Sequence, residues 1–336
     1  MKLSTFAVFA VTLFFLSGCA SQPTVPDWVS GESAKYKSDQ YLIGRGSADT
    51  QEEAKDRARA DVAKVFQVAV VANTDDTQRS KSDASGAVQF EEQASRHIST
   101  STDQIISGIQ IADMWKNPAN GNVHVLAVLP RLQTATSLRQ QIGGLDDATR
   151  NYIEQSRRED DLFVKIAAAN HALETQLERE GLQKNLQVVD ITGRGIEPQW
   201  NSDKLKADLG DLLKRVSIAP RAAAGSPAGL EEIVAGALAR AGFMPDTGDH
   251  PAYVLQARMN LNDLGLIDGW YWQRGNLVIT LTETANNRVR GTKQWSIKGN
   301  AQNAAEAVQR AMDQADAIMK RELGDAIVSM ATARQE

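Results

Sequence analysis

Tyr41-Leu42-Ile43-Gly44-Arg45-Gly46-Ser47-Ala48, followed at once by Asp49-Thr50-Gln51-Glu52-Glu53-Ala54-Lys55-Asp56-Arg57-Ala58, is the stretch that decides the fold. Tyr41 to Gly44 reads as a short strand, and Arg45-Gly46-Ser47-Ala48 reads as the turn into a helix. Asp49 or Thr50 is placed to cap that helix, and Glu52 and Glu53 stand in its first turn, where carboxylates oppose the positive end of the helix dipole. Ala54, Ala58, Val62, Val65 and Phe66 recur at helical spacing and define one apolar face. Lys55, Asp56, Arg57, Arg59, Asp61 and Lys64 occupy the other. A strand followed by a one-faced helix predicts a helix laid on a sheet.

Beyond that helix, Phe66 to Ala72 is β-branched and strand-like, and Asn73 to Ser85 is polar and loop-like. Residues 88–104 leave strand and helix both open. Ile105 to Trp115 and Val123 to Leu129 flank Asn117-Pro118-Ala119-Asn120-Gly121-Asn122, which predicts a β-hairpin that Pro130 ends. From Leu132 to Leu186 the pattern is mostly helical, with a break at Gly143-Gly144 and Asp146 or Asp147 capping the next piece. Ile153 to Leu182 carries the seam Leu162, Ile166, Leu173 and Leu177. A helix of about 35 residues reaches about 50 Å, long enough to hold two domains well apart.

The remainder begins with a helix at Lys204 to Arg215 and a strand at Val216 to Ala219. Leu230 to Ala241 is a helix that Gly242 closes in the left-handed C′ position. Strands are expected at Ala252 to Asn262, Leu277 to Thr284 and Val289 to Ile297, with Ala285-Asn286-Asn287-Arg288 as the last turn. A final helix, Ala304 to Val328, sets Ala304, Ala307, Ala311, Ala315, Met319 and Leu323 on one side. The expected fold class is α+β: two small helix-on-sheet domains at 28–131 and 191–336, joined by a helical connector at 132–190.

Composition narrows the setting. Lys plus Arg number 37 against 42 Asp plus Glu, a net charge of −5, which lacks the basic footprint of a nucleic-acid binder. The single cysteine, Cys19, ends Leu16-Ser17-Gly18-Cys19, behind Lys2 and the apolar run Phe6 to Leu16. A charged start, a short apolar segment and small residues form a secretory leader; a spanning helix needs about 20 apolar residues. The Leu-Ser-Gly-Cys ending resembles the lipobox of bacterial lipoproteins. The resemblance implies cleavage of residues 1–18, a lipid thioether on Cys19 and acylation of the new amino terminus. Residues 19–27 then form a short lipidated tether. Ala20 follows Cys19 where an inner-membrane retention aspartate would stand, and by resemblance to the sorting rules of bacterial lipoproteins this implies the periplasmic face of the outer membrane. With Cys19 committed to lipid, no disulfide remains, and stability must come from packing.

The stretch from Trp28 to Pro130 resembles the Lpp-twenty lipoprotein domain family. Three pieces carry the resemblance: Tyr41 to Ala48, the Glu-Glu-Ala-Lys-Asp-Arg-Ala-Arg-Ala helix from Glu52 to Ala60, and the strand Val123-His124-Val125-Leu126-Ala127-Val128. A related domain stands at the amino end of a lipid-free periplasmic protein of flagellar-ring assembly. The resemblance implies an envelope lipoprotein with a small α+β domain, and no catalytic activity. The second domain is more loosely similar to envelope lipoproteins that activate penicillin-binding proteins, through Ala239 to Phe243 and Ala252-Tyr253-Val254-Leu255. Activators of that type carry a long tether, and the tether here is short.

Motifs for chemistry are sparse. Gly44-Arg45-Gly46-Ser47 has no third glycine and no Gly-Lys-Ser/Thr, so a strand-to-helix turn or close backbone packing accounts for it better than a phosphate cradle. His97, His124, His171 and His250 share no ligand spacing, and no metal or cofactor is expected. There is no Gly-x-Ser-x-Gly elbow, and Glu52-Glu53, Glu91-Glu92 and Glu231-Glu232 read as solvated faces or first-turn residues. The best binding candidate is Asp268-Gly269-Trp270-Tyr271-Trp272-Gln273-Arg274-Gly275, between the first two strands of the second domain. Three consecutive aromatics of an extended chain cannot all face one core. Trp270, Tyr271, Trp272 and Arg274 are therefore the expected partner-binding residues, in keeping with the aromatics and arginine favoured at interfaces; a hairpin packing its aromatics on the final helix is the competing account. The function expected is a non-enzymatic adaptor or assembly factor, lipid-anchored through Cys19 and bound to an envelope protein. A periplasmic cell-wall hydrolase and a small-molecule or lipid carrier are the alternatives.

Overall fold

The computed structural model describes residues 24–78, 105–106, 108–248 and 250–332. Cys19 with its leader, and the ambiguous stretch 88–104, lie outside the described residues. Two sheets organise the chain, each with helices on it, and the fold is α+β.

The first sheet has the order β1-β3-β2, with β1 at Tyr41–Ala48, β2 at Gln110–Lys116 and β3 at Val123–Pro130, all antiparallel. The expected hairpin is β2–β3, closed by Asn117 to Asn122. In β1, Leu42, Gly44, Gly46 and Ala48 share the buried side, which the helix α2 (Gln51–Gln78) covers with Ala54, Ala58, Val62 and Phe66. Gly44 and Gly46 therefore belong to the strand and not to a turn. A Cβ on Gly44 would stand 2.5 Å from the Ala58 carbonyl oxygen, and one on Gly46 would stand 2.2 Å from that of Ala54. The glycines let a helix lie directly on a strand. Val65 falls off the buried face and is exposed. α2 also runs on through Gln78, where a strand was expected from Phe66 to Ala72: helical continuity outweighs the weak β propensity of a few branched residues. On the sheet's other side, α1 (Asp27–Ser30) seats Trp28 against Leu126 and Val128, and the indole nitrogen donates to Asp113 at 3.0 Å. Arg45 reaches across from β1 to donate to the Trp28 and Gly31 carbonyls.

The connecting segment is a helical hairpin of two equal arms, α3 (Arg131–Arg158) and α4 (Leu162–Val189). Gly143 and Gly144 do not break α3; both sit inside it with no atom near enough to meet an added Cβ. The break comes at Glu159 to Asp161, where Asp161 caps α4 by accepting from the Phe163 and Val164 amides. Asp146, expected as a cap, is buried instead and paired with the buried Arg179 at 3.2 Å. The hairpin returns the chain to its start, since Arg131 donates to the Val188 and Val189 carbonyls. It is no spacer: Leu182, Leu186 and Val189 of α4 join the core of the first sheet, and Phe163, Ile166, Leu173 and Leu177 join that of the second.

The second sheet has the order β5-β4-β6-β7-β8, with β4 at Ser217–Ala222, β5 at Met244–Pro245, β6 at Tyr253–Ile267, β7 at Trp270–Glu283 and β8 at Arg288–Ala301. β4 runs parallel to β5 and β6, while β6, β7 and β8 are antiparallel, so the sheet is mixed. One helix, α5 (Ser202–Lys214), packs on α4. Two others, α6 (Leu230–Arg240) and α7 (Ala304–Thr332), lie against the sheet. Gly242, at φ +88°, closes α6, with its amide donating to the Ala239 carbonyl and that of Phe243 to Leu238. These two bonds are the Schellman pattern. The device of the first sheet recurs on β8: a Cβ on Gly299 would stand 2.2 Å from the Ala307 carbonyl oxygen of α7.

Candidate functional site

β6 and β7 extend well past their expected ends, so the segment expected to link them is mostly strand. Asp268 and Gly269 alone make the turn, both at positive φ (51° and 81°), between the paired residues Ile267 and Trp270. Two central residues with positive φ are the hairpin turn of type I′, for which Asp-Gly is a preferred sequence. That dipeptide, between Leu266-Ile267 and Trp270-Tyr271, is the sequence signal for a tight hairpin.

The four expected binding residues are thereby neighbours on one strand. Trp270 and Arg274 are exposed, while Tyr271 and Trp272 are half-buried. Alternation puts Trp270, Trp272 and Arg274 on one side of β7, and Tyr271 with the buried Gln273 on the helix-covered side that continues into Leu277, Ile279 and Leu281. The structure adds three residues from β6 that were missed. Leu264 is 48 % exposed, Leu266 61 % and Ile267 45 %, beside Trp270 at 40 %. This is a concentration of apolar surface at the end of a hairpin. A bulge between Asp263 and Gly265 shifts the register so that Ile267 lies beside Trp270 on the same face.

A second feature is a cleft of about 670 Å³ where the closed end of the α3–α4 hairpin meets α5. Ile153, Ala169 and Leu205 give it an apolar wall, Trp200 stands among them, and Arg157, Lys165, Lys204 and Arg215 bring positive charge. Its acids, Asp208 and Asp211, are both exposed on α5. Among the described residues the carboxyl raised above its ordinary value, by partial desolvation and then by Glu174 and Glu322, is Asp325, which is exposed on α7 and does not line the cleft. Among the described residues no group of three His, Cys, Asp or Glu is placed to hold a metal. His124 stacks against Trp115 and His171 sits beside Glu174 and Tyr152, on separate elements. None of the helices among the described residues is long and apolar enough to cross a membrane.

The class these features define is an α+β chain of two sheets sharing a helical hairpin, with an exposed apolar tip. Residues 26–130 match the family model of the LPP20 lipoprotein. That match supports an envelope lipoprotein, and it indicates no enzymatic family. No curated protein matches the sequence. Among solved structures, the secreted protein HP1454 from Helicobacter pylori is similar at 13 % identity and a TM-score of 0.41, over 88 % of this chain and 99 % of that one. A candidate lipoprotein from Caulobacter crescentus is similar at 17 % identity and a TM-score of 0.26, over 35 % of this chain and 93 % of its own. A minor lipoprotein from Acinetobacter baumannii is similar at 13 % and 0.25, over 37 % and 98 %. These matches do not carry the expected likeness to activators of penicillin-binding proteins.

Proposed function

We propose that the protein is a non-enzymatic adaptor of the cell envelope, anchored by acyl chains on Cys19 to the periplasmic face of the outer membrane, whose β6–β7 tip captures an envelope protein. The observation that carries this reading is the exposure of Leu264, Leu266, Ile267 and Trp270 together at the hairpin end. Apolar clusters on a rim of polar residues mark interaction sites. A photo-crosslinker at position 266, followed by mass spectrometry, should capture a small, reproducible set of envelope proteins in cells. Leu266→Asp should abolish that capture and leave the folded circular-dichroism signal unchanged. Cys19→Ser should move the protein from the membrane fraction to the soluble one. Hydrolysis of murein fragments by the purified chain would sink the adaptor and favour a hydrolase.

The cleft at α5 supports a second reading, carriage of a small amphiphile bearing negative charge. Its test is a change in tryptophan fluorescence on adding a fatty acid, lost in Trp200→Phe.

A further inference from the structure

We infer that the uncovered face of the second sheet is a binding surface for an acidic glycan. Strand register settles which residues share this face. Arg221 pairs with Gln256 and Gln256 with Thr280, and the hydroxyls of Thr280 and Thr292 lie 3.3 Å apart, confirming a common side. Following the strands toward the tip, successive rows bring Arg258 beside Val278, Asn260 beside Asn276, and Asn262 beside Arg274, which is itself opposite Lys298. Trp272 and then Trp270 close the series. From Thr280 to Trp270 this surface runs about 33 Å, at about 3.3 Å per residue.

Its chemistry is one-sided. Four cations face out from these strands, and none of the register positions on this side carries a carboxylate, in a chain of net charge −5. Arg221 has a partner, Glu231 at 3.7 Å. Arg258, Arg274 and Lys298 are exposed, and among the described residues none of them is in an ion pair. Like charges directly opposite across two strands repel. The Arg274–Lys298 pair therefore costs the free protein stability, and an anion seated between them removes that cost.

The remaining groups identify the anion's carrier. Exposed amides at Asn260, Asn262 and Asn276 both donate and accept, as recognition of sugar hydroxyls requires. Flat indole faces at Trp270 and Trp272 suit the C–H face of a pyranose ring. Cations, amides and indoles in sequence along one face match a polymer bearing carboxylates, hydroxyls and apolar ring faces. A nucleic acid would need a basic domain, and this chain is acidic.

The test is co-sedimentation of the purified full chain with murein sacculi, using sacculi whose peptide carboxylates have been amidated, and single-stranded DNA, as alternative ligands. Binding to native sacculi is expected, with loss on amidation and on raising salt. The Arg274→Gln/Lys298→Gln double variant should bind on the order of tenfold more weakly, the loss of two solvent-exposed charge contacts. Lys55→Gln, on the helix α2 that packs on the first sheet, should bind as the parent does. Each single change at Arg274 or Lys298 should leave the free protein's Tm equal or higher, which a merely structural pair would not do. Leu266→Asp should bind sacculi normally, because Leu266 pairs with Tyr271 on the opposite side of the hairpin from Trp270, and this distinguishes glycan binding from protein capture although the two surfaces share Trp270. Failure of the parent to sediment, undiminished binding by the double variant, a lowered Tm in the single variants, or preference for single-stranded DNA would each overturn the inference.

Discussion

At the scale of single residues, the glycines show how one residue type serves opposite ends. Gly46 permits contact between backbone and backbone, so an added methyl meets the main chain of Ala54, Arg57 and Ala58. Overpacking of this kind costs about 1–3 kcal/mol. Gly46→Ala should fall at the upper end of that range, since no flexible side chain can move aside, and chemical denaturation will measure it. Gly143 is the converse case: it lies mid-helix in α3 with open space where a Cβ would go. Gly143→Ala should stabilise by about 0.5–1 kcal/mol, through helix propensity and a less flexible unfolded chain. Sequence alone misplaces Gly143 and leaves Gly46 open. Gly143-Gly144 read as a helix break, although one glycine costs a helix only about 1 kcal/mol and the flanking turns bury Leu138 and Ile142. Gly44 and Gly46 were assigned packing or a turn, and only the register of α2 on β1 decides for packing.

At the scale of elements, two carboxylates give opposite pH signatures. Burial pushes Asp161 upward, but hydrogen bonds from Arg290 and from the Val164 and Phe163 amides, with the Arg290 charge, outweigh it and hold the carboxyl below its ordinary value. A depressed folded-state pKa contributes stability above the unfolded value, about 3.9, that is lost as pH falls through the folded one. Asp161→Asn should thus lower Tm at pH 7, with the deficit shrinking in acid. Asp325 behaves in reverse: burial first, then Glu174 and Glu322, raise its pKa. Its stabilising form is the neutral one, fully present below about 3.9 and lost as pH rises through the raised value. Because Asp325 is exposed on its helix, solvent screens this effect, and Asp325→Asn should raise Tm at pH 7 only slightly and change nothing in acid. Arg290 binds Asp161 at 2.8 Å, lies near Glu283 and donates to the Ala331 carbonyl. Arg290→Ala should cost about 2 kcal/mol, less than for a fully buried pair because Asp161 keeps some water. Legibility also varied by element. The β2–β3 hairpin was plain from apolar runs on either side of an Asn-, Pro- and Gly-rich turn. The end of β6–β7 was not, because an uncovered sheet face lacks the buried alternation that marks a strand: the expected strands stop at Asn262 and resume only at Leu277, leaving Arg274 and Asn276 outside them. The aromatics there were legible as candidates from composition, whereas Leu264, Leu266 and Ile267 became so only when the turn placed them at a tip.

At the scale of the molecule, α4 decides how the two sheets relate. Its first half is part of one core and its last turns part of the other, with the Arg179–Asp146 pair between them bonded to the Ile196 and Glu197 carbonyls. Both ends are held as well: Arg290 fixes Asp161 to the second sheet, and Arg139 pairs with Asp190 at 2.9 Å beside the first. A helix loses its hydrogen bonds in sequence, so fraying of α4 from either core exposes apolar surface belonging to the other. The two sheets should consequently unfold together, with tryptophan fluorescence and far-ultraviolet circular dichroism tracing one coincident transition in urea. Glu178 offers the means to cut this link, because it is exposed and sits between the buried Leu177 and Arg179. Proline there removes a helical hydrogen bond and clashes with the preceding turn, at about 3 kcal/mol or more, without touching either core directly. Glu178→Pro should split the single transition into two and open α4 to limited proteolysis near that position, while Glu178→Ala should leave both unchanged. Two transitions already present in the parent chain would mean that the sheets are independent and that α4 merely bridges them.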